Sequence, residues 1–314
     1  MGRLGAMKML PILIVNPSSA NGSTLKKLHS IEKELRSSIG EYEIRKTTAQ
    51  NEATVLTREA LRQGHQWIVA VGGDGTINEV VNGFFDEEGT TIGEPILSLL
   101  PSGTGGDFRK TWHVGRTAKD ALHRMVHGEP RWMDAGIVRW HDADGAPRHR
   151  YFANIATVGL GARVSDQANR QSKILGGKAS FYVASLRALL GWSNIPVSVQ
   201  VDEQERISCM ATTIAMCNGQ FFGGGMQCAP NADPSDGLFD VVFMTDLTRL
   251  EIARMTSIYK GQHLNHPKVR VTRGRTVTIR YEESAPSPLE AEGEVFGSLP
   301  ATFELLPKAF QIKV

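Results

Sequence analysis

Three runs of almost pure hydrocarbon side chains, residues 10–15, 67–71 and 95–100, dominate the first third of the chain, with Ser98 their single polar member. Strands this uniform belong in a sheet covered on both faces, where alternation is lost. The intervening segments switch to helical spacing. Leu25, Leu28, Ile31 and Leu35 predict a helix stopped by Gly40, and Ala53, Leu56 and Ala60 one stopped by Gly64. Ile77, Val80, Val81 and Phe84 recur at i, i+3, i+4, i+7, and Ala118, Ala121, Leu122 and Met125 give a further helix. With residues 42–46 as the second strand, the order alternates strand and helix, which implies a parallel sheet with helices on both faces. Ligands of such sheets bind at the carboxyl ends of the strands.

Near Arg131 the pattern changes. Strand-like runs follow at 132–140, 151–158, 196–201, 207–217, 238–244, 269–273, 276–281 and 301–314, interrupted by helical patches at 179–190 and 249–259. A mostly antiparallel second domain follows, so the expected division is 1–130 and 131–299.

Charge narrows the function classes. The chain has 35 Lys and Arg against 33 Asp and Glu, which argues against a nucleic-acid partner. Cys209, Cys217 and Cys228 are odd in number and form no CxxC, so neither a disulfide framework nor a structural zinc site is expected, and a cytoplasmic setting is. The first apolar run is far short of the roughly 20 residues of a membrane span and lacks a signal-peptide cleavage site. Any membrane contact is expected to be peripheral.

The chemistry concentrates in loops at strand ends. Gly72-Gly73-Asp74-Gly75-Thr76-Ile77-Asn78-Glu79 leaves the third strand and opens a helix. Its glycines allow close approach of a ligand to the backbone, and a helix start suits phosphate. Asp74 repels phosphate and makes sense facing Mg²⁺ or a hydroxyl proton. Pro101-Ser102-Gly103-Thr104-Gly105-Gly106-Asp107-Phe108 follows the fourth strand, and Thr104 is placed either to donate to a phosphate or to cap a helix. The first loop, Asn16-Pro17-Ser18-Ser19-Ala20-Asn21-Gly22-Ser23, suits a phosphate or ribose contact, or an N-cap at Ser23. None is a Walker loop or a dinucleotide fingerprint.

Gly72-Gly73-Asp74-Gly75-Thr76 with Asn78-Glu79-Val80-Val81-Asn82-Gly83 resembles the nucleotide loop of the diacylglycerol kinase catalytic-domain family, which includes bacterial soluble lipid kinases, sphingosine kinases and ceramide kinases. The likeness continues in order through Pro101-Ser102-Gly103-Thr104, Phe152-Ala153-Asn154, Gly159-Leu160-Gly161-Ala162, Phe222-Gly223-Gly224-Gly225, Asp236-Gly237-Leu238-Phe239-Asp240 and Gly293-Glu294. It implies a phosphofructokinase- or NAD-kinase-like α/β domain, a β-sandwich domain, a last segment (300–314) that returns to the first domain, and a nucleotide cleft between the domains. By the same resemblance, Asn16, Pro17, Ser18, Ser19, Ala20, Thr47, Gly72, Gly73, Asp74, Gly75, Thr76, Ile77, Asn78 and Thr104 contact ATP. Glu294 is the general base on a lipid hydroxyl, with Asp74 near the phosphates and their metal. Asp236, with the backbones of Asp233 and Leu238, holds a structural Mg²⁺.

Three departures stand out. Gly106 replaces the family's Asn, Glu292 its Asp before Gly-Glu, and Ser18-Ser19-Ala20-Asn21 lacks the usual basic or glycine-rich residues. The reading is an ATP- and Mg²⁺-dependent lipid kinase, cytoplasmic and peripheral at the membrane, whose lipid groove draws on 179–190 and 221–225. A NAD kinase and a nucleotide-binding regulatory protein are the alternatives. The lipid and the oligomeric state, a homodimer among the arrangements allowed, stay open.

Overall fold

The structure, a computed structural model, describes residues 10–102, 106–115, 117–170, 187–282 and 287–314. The chain divides into two compact units, one of residues 1–103, 114–132 and 310–314 and the other of 104–113 and 133–309.

The first unit is α/β. Strands β1 (Ile12–Val15), β2 (Glu43–Lys46), β3 (Trp67–Gly72) and β4 (Ile96–Pro101) pair in parallel in the order β2-β1-β3-β4. The end of the chain's last strand adds to β4, also in parallel, with Gln311 opposite Ile96. The helices are α1 (Thr24–Ser30), α2 (Glu32–Ile39), α3 (Glu52–Arg62), α4 (Asp74–Asn82) and, beyond α5 (Asp107–Thr111) of the second unit, α6 (Ala118–His127). Leu13, Val15, Val69 and Val71 turn one face of the sheet toward Leu28, Leu35, Ile39, Leu122 and Met125. Ile12, Ile14, Ile68 and Ala70 are equally buried on the other face, which accounts for the unbroken apolar runs.

The single helix expected over residues 25–35 is two. The chain leaves helical geometry at Ile31 (φ −111°, ψ 5°), whose amide bonds Leu28 O three residues back, while the Ser30 hydroxyl donates to Lys27 O at 2.7 Å. Such local side-chain bonds compete with the helical ladder.

The second unit is antiparallel β with a few short helices. Its strands are β5 (Pro130–His141), β6 (Pro147–Phe152), β7 (Ile155–Gly159), β8 (Ile195–Val201), β9 (Ile207–Cys217), β10 (Phe221–Phe222), β11 (Met226–Gln227), β12 (Phe239–Thr245), β13 (Val269–Gly274), β14 (Thr276–Tyr281), β15 (Pro288–Ala291), β16 (Glu294–Ser298) and β17 (Ala301–Lys313). They run β16-β15-β7-β9-β8-β14-β17, with β12 also on β9, β13 on β12, and β5 joining β17 to β6. The core holds Val138, Phe152, Ile214, Phe239, Phe243, Leu289 and Phe303 among others. Helices α7 (Leu160–Arg170) and α8 (Arg249–Arg254) complete it.

Two expectations change here. The strand read at 151–158 is split at Ala153-Asn154, because both amides turn to the carboxylate of Glu292 rather than to a ladder. The helix read at 249–259 begins with a capping box at Thr248 and Glu251 but gives way to a 3-10 turn over Thr256–Lys260. Of the expected helix at 179–190, only 187–190 lie within the described residues, and those are helical. The basic residues at 268–275 are drawn into internal contacts: Lys268 pairs with Glu251, Arg270 lies over the Phe243 ring, and Arg273 pairs with Asp236 and Asp240. Among the described residues, no helix is long and apolar enough to cross a membrane.

Candidate active site

In the first unit, the loops after β1, β2, β3 and β4 leave the same edge of a parallel sheet. Asn16 ties two of them together: its amide donates to Val71 O at 3.1 Å and its side-chain Nδ2 to Thr76 Oγ1 at 3.2 Å. Its Oδ1 accepts the Ser18 amide at 3.0 Å, fixing the turn at Pro17. Ala20 takes a positive φ of 53°, and Ser23, in the N-cap position of α1, sends its hydroxyl back to Ala20 O instead of capping. Thr47 is buried at the end of β2 with its amide on Val15 O.

The Gly-Gly-Asp-Gly turn has a mechanical reading. A Cβ on Gly72 would stand 2.3 Å from Thr76 Oγ1, so this position needs glycine for the helix to close onto the strand. Gly73 is the N-cap of α4 and has no side chain to accept from the first-turn amides. Ile77 N already bonds Gly73 O, so the amides of Gly75 and Thr76 precede the helical ladder. Gly75 is exposed, and a Cβ there would meet nothing within 4 Å. That bare backbone beside a positive helix end fits phosphate oxygens. Asp74 is half-buried in the first turn. Ile77 and Asn78 are buried in the core, so the side chain of Ile77 serves packing.

A hydroxyl cluster adjoins this edge. Ser19 Oγ, Thr24 Oγ1 and Ser102 Oγ lie within 2.5–3.1 Å of one another, and Lys27 Nζ donates to Ser102 O at 3.0 Å. Thr24, Lys27 and Ser102 line a cavity of about 190 Å³, walled also by Leu28, Ile31, Val71 and Leu100. Lys27 supplies the positive charge that the first loop itself lacks. It sits one helical turn past Thr24, a position sequence reasoning passed over. Thr104 lies outside the described residues.

In the second unit, β15 and β16 form a hairpin whose turn is Glu292-Gly293. Both residues have positive φ, 58° and 85°, as a two-residue type I′ turn requires. Glu294 is the first residue of β16 and stands opposite Ala291. The turn is locked on two sides. Glu292 Oε1 accepts the amides of Ala153 and Asn154 at 2.8 and 2.6 Å. Glu290 Oε1 accepts the Gly293 amide at 2.5 Å, and its Oε2 accepts Thr157 Oγ1 at 2.5 Å. Burial lifts the Glu290 carboxyl to about 7, with the charge of Glu294 adding to the rise. Glu290 was not foreseen, although Leu289-Glu290-Ala291 is a visible oddity, one carboxyl inside a buried strand.

The Gly106 departure is conformationally mild. Its φ of 74° is left-handed, which glycine and asparagine both tolerate. Next to it, Asp107 holds Lys110 Nζ at 2.5 Å and the Gly224 amide at 2.6 Å, pinning the glycine turn between β10 and β11.

The acidic stretch 233–240 is organised around buried Asp134, whose two oxygens accept Gly237 N and Lys308 N, each at 2.7 Å. Asp236 accepts Leu238 N at 3.0 Å and pairs with Arg273, and Asp233 accepts the Ser235 amide and hydroxyl. Burial first, and then repulsion from Asp236 and Asp233, raises Asp134. Asp233 O accepts the Asp236 amide, so the carboxylate of Asp236 and this carbonyl are oxygen donors of the type Mg²⁺ takes, and both are engaged within the chain here. Among the described residues, no group of three or more His, Cys, Asp or Glu is arranged to hold a metal.

The comparisons with known proteins follow these two units. The diacylglycerol kinase catalytic domain matches residues 11–138, and the YegS C-terminal NAD kinase beta sandwich-like domain matches residues 154–314. The chain belongs to the diacylglycerol kinase family. It is therefore a kinase with the α/β and β-rich units of that family. A diacylglycerol kinase of Mycobacterium tuberculosis is 29% identical over 302 residues, covering 95% of this kinase and 93% of the relative. One from Staphylococcus carnosus is 26% identical over 96% and 93% of the two chains. The crystal structure of a diacylglycerol kinase from Bacillus anthracis shares the fold at a TM-score of 0.70 and 21% identity, covering 97% and 96%. Yeast NADH kinase complexed with NADH shares it more distantly, at 0.51 and 12%, covering 97% and 82%.

Proposed function

We propose that this kinase transfers the γ-phosphate of ATP to the hydroxyl of a diacylglycerol-like lipid, acting as a peripheral protein at a cytoplasmic membrane face. The observation that carries the reading is the fixed hairpin turn: Glu290 and Glu292 hold Gly293 and its neighbours from both flanks, so Glu294 leaves the turn at one set position. A carboxylate held in this way suits a general base, which contributes typically ~10²–10⁴-fold. Glu294 takes the proton of the attacking hydroxyl as its oxygen bonds to the γ-phosphorus. The bond from that phosphorus to the β–γ bridging oxygen breaks, and ADP leaves.

On the nucleotide side, the exposed backbone at Gly75, the amide of Thr76 and the hydroxyl of Ser19 receive the phosphates, with Lys27 balancing their charge and buried Thr24 holding Ser19 in place. Asn16 and Thr76 keep the two loops in register. Asp74 would hold a Mg²⁺ that, when bound, would neutralise charge on the phosphates, and Asp236 with the main chain of Asp233 and Leu238 would hold a second, structural Mg²⁺. The likeness to diacylglycerol kinases of Mycobacterium tuberculosis and Staphylococcus carnosus supports diacylglycerol as the acceptor.

The test is transfer from radiolabelled ATP to a lipid extract containing diacylglycerol, comparing the native chain with Glu294→Gln. A labelled phosphatidic acid spot that fades at least a hundredfold in the variant is expected. Equal labelling by both proteins removes Glu294 from the chemistry, and labelling of NAD in lipid-free buffer overturns the lipid acceptor.

A further inference from the structure

In the second unit, Cys217 Sγ and Cys228 Sγ lie 3.7 Å apart, both fully buried. Cys217 ends β9, and Cys228 follows β11 directly. His263 adjoins Cys228 and is 1% exposed, and among the described residues neither of its ring nitrogens has a hydrogen-bond partner apart from that thiol. A buried imidazole with no other polar partner is costly unless it serves the neighbouring group. The neighbour here is a thiol pair. The Cys217 thiol donates to Cys228 and, with His263 adding to it, holds Cys228 below the usual thiol range, while burial pushes Cys217 well up. The third cysteine is the natural control: Cys209 is half-buried, lacks such neighbours, and is pushed up by burial.

We infer that Cys217 and Cys228 are an oxidisable pair, which hydrogen peroxide converts to an intramolecular disulfide with His263 as the residue that orients and activates Cys228. The Cys228 thiolate attacks one peroxide oxygen, the O–O bond breaks, and hydroxide leaves, giving a sulfenic acid. The Cys217 sulfur then attacks the sulfenic sulfur, the S–O bond breaks, and water leaves with the thiol proton. Two thiols lose two electrons in all, and one peroxide becomes two waters. The sulfurs close from 3.7 Å to the roughly 2.05 Å of the bond. Access comes through the ribbon that covers them. Phe222 and Met226 pack on the thiol cluster, but β10 and β11 are two residues each and are joined by three glycines with positive φ. The ribbon's turn is held by the Gly224 amide on Asp107, and local opening of this segment, with that bond released, admits the peroxide.

The inference concerns a modification and is read without any activity, so it stands or falls apart from the lipid-kinase reading. The native chain is treated with hydrogen peroxide at pH 7, its free thiols are counted, and it is cut with chymotrypsin, which cleaves after Phe222 and so separates Cys217 from Cys228. Loss of two thiols, a Cys217–Cys228 linked pair of peptides that dithiothreitol releases, and a surviving Cys209 thiol are expected. His263→Asn is expected to slow thiol loss by about tenfold, while Cys209→Ser leaves it unchanged. Reaction at Cys209 first, or a thiol count that falls only when the chain is unfolded in urea, overturns the inference. If His263→Asn misfolds, Cys217→Ser provides the second reading: Cys228 must then accumulate as the sulfenic acid trapped by dimedone, and an unlabelled Cys228 in a folded variant also overturns it.

Discussion

Glu290 accepts the main-chain amide of Gly293 at 2.5 Å from inside the strand, with its other oxygen on the Thr157 hydroxyl. The turn that presents Glu294 is thus tied to a carboxyl that burial keeps protonated up to about pH 7.

Stability should carry the mark of that carboxyl. Folding raises Glu290 from 4.5 to about 7, so between those values the native chain keeps a proton that the unfolded chain has released. Stability therefore falls as pH rises through that window and is level above it. The whole effect is on the order of 3 kcal/mol at 1.36 kcal/mol per unit. Glu290→Gln imitates the protonated form, with its Nε2 donating to Thr157 Oγ1. Urea midpoints at pH 5 and pH 8 should differ for the native chain and converge for the variant. A native midpoint that rises between them contradicts the assignment.

Glu292 makes the other half of the lock. Glu292→Ala strips the acceptor from the amides of Ala153 and Asn154, which costs about 1–3 kcal/mol for buried groups left unpaired. Glu292→Gly makes the same loss but relieves the positive φ of 58°, so it should be the milder change by up to about 1 kcal/mol. Chemical denaturation that finds Glu292→Ala as stable as the native chain would remove the carboxylate from its structural role.

These two carboxyls show where sequence reasoning reaches its limit. The first unit was legible because each strand and helix declares itself through spacing of near neighbours, and because glycine turns at strand ends are local features. Glu294 stood out through Gly293-Glu294 and the family resemblance. Glu290 did not, since its partner Thr157 lies 133 residues away and nothing in either segment announces the other. Ser102 and Ser19, 83 residues apart, met the same limit. Ile31 and Asn154 failed for a smaller reason: a hydroxyl or carboxylate captured the backbone bonds that the apolar pattern assigned to a longer helix and a longer strand.

Lys27 offers a kinetic test of the nucleotide edge. Its ammonium reaches Ser102 O at the cavity beside the hydroxyl cluster. Lys27→Met keeps the packing of the stem and removes the charge. On the proposed reading it raises KM for ATP about tenfold with kcat nearly unchanged, the pattern of lost uniform binding. A fall in kcat at unchanged KM would place Lys27 on the transferring phosphoryl group instead.

Gly75 separates fold from function most sharply. A Cβ there meets no atom within 4 Å, and its φ is not left-handed. In a helix, alanine is better than glycine by up to about 1 kcal/mol, so Gly75→Ala should melt at or above the native temperature. On the proposed reading, the new methyl group nevertheless stands where the bare backbone of the first turn would receive phosphate. ATP affinity, measured by calorimetry, should fall at least tenfold while stability holds. Gly72→Ala behaves differently, because its Cβ would lie 2.3 Å from Thr76 Oγ1 and the strand–helix junction must shift to admit it. That variant loses stability and binding together. Unimpaired ATP binding by a stable Gly75→Ala protein would move the phosphates away from α4 and leave the glycine turn a purely structural device.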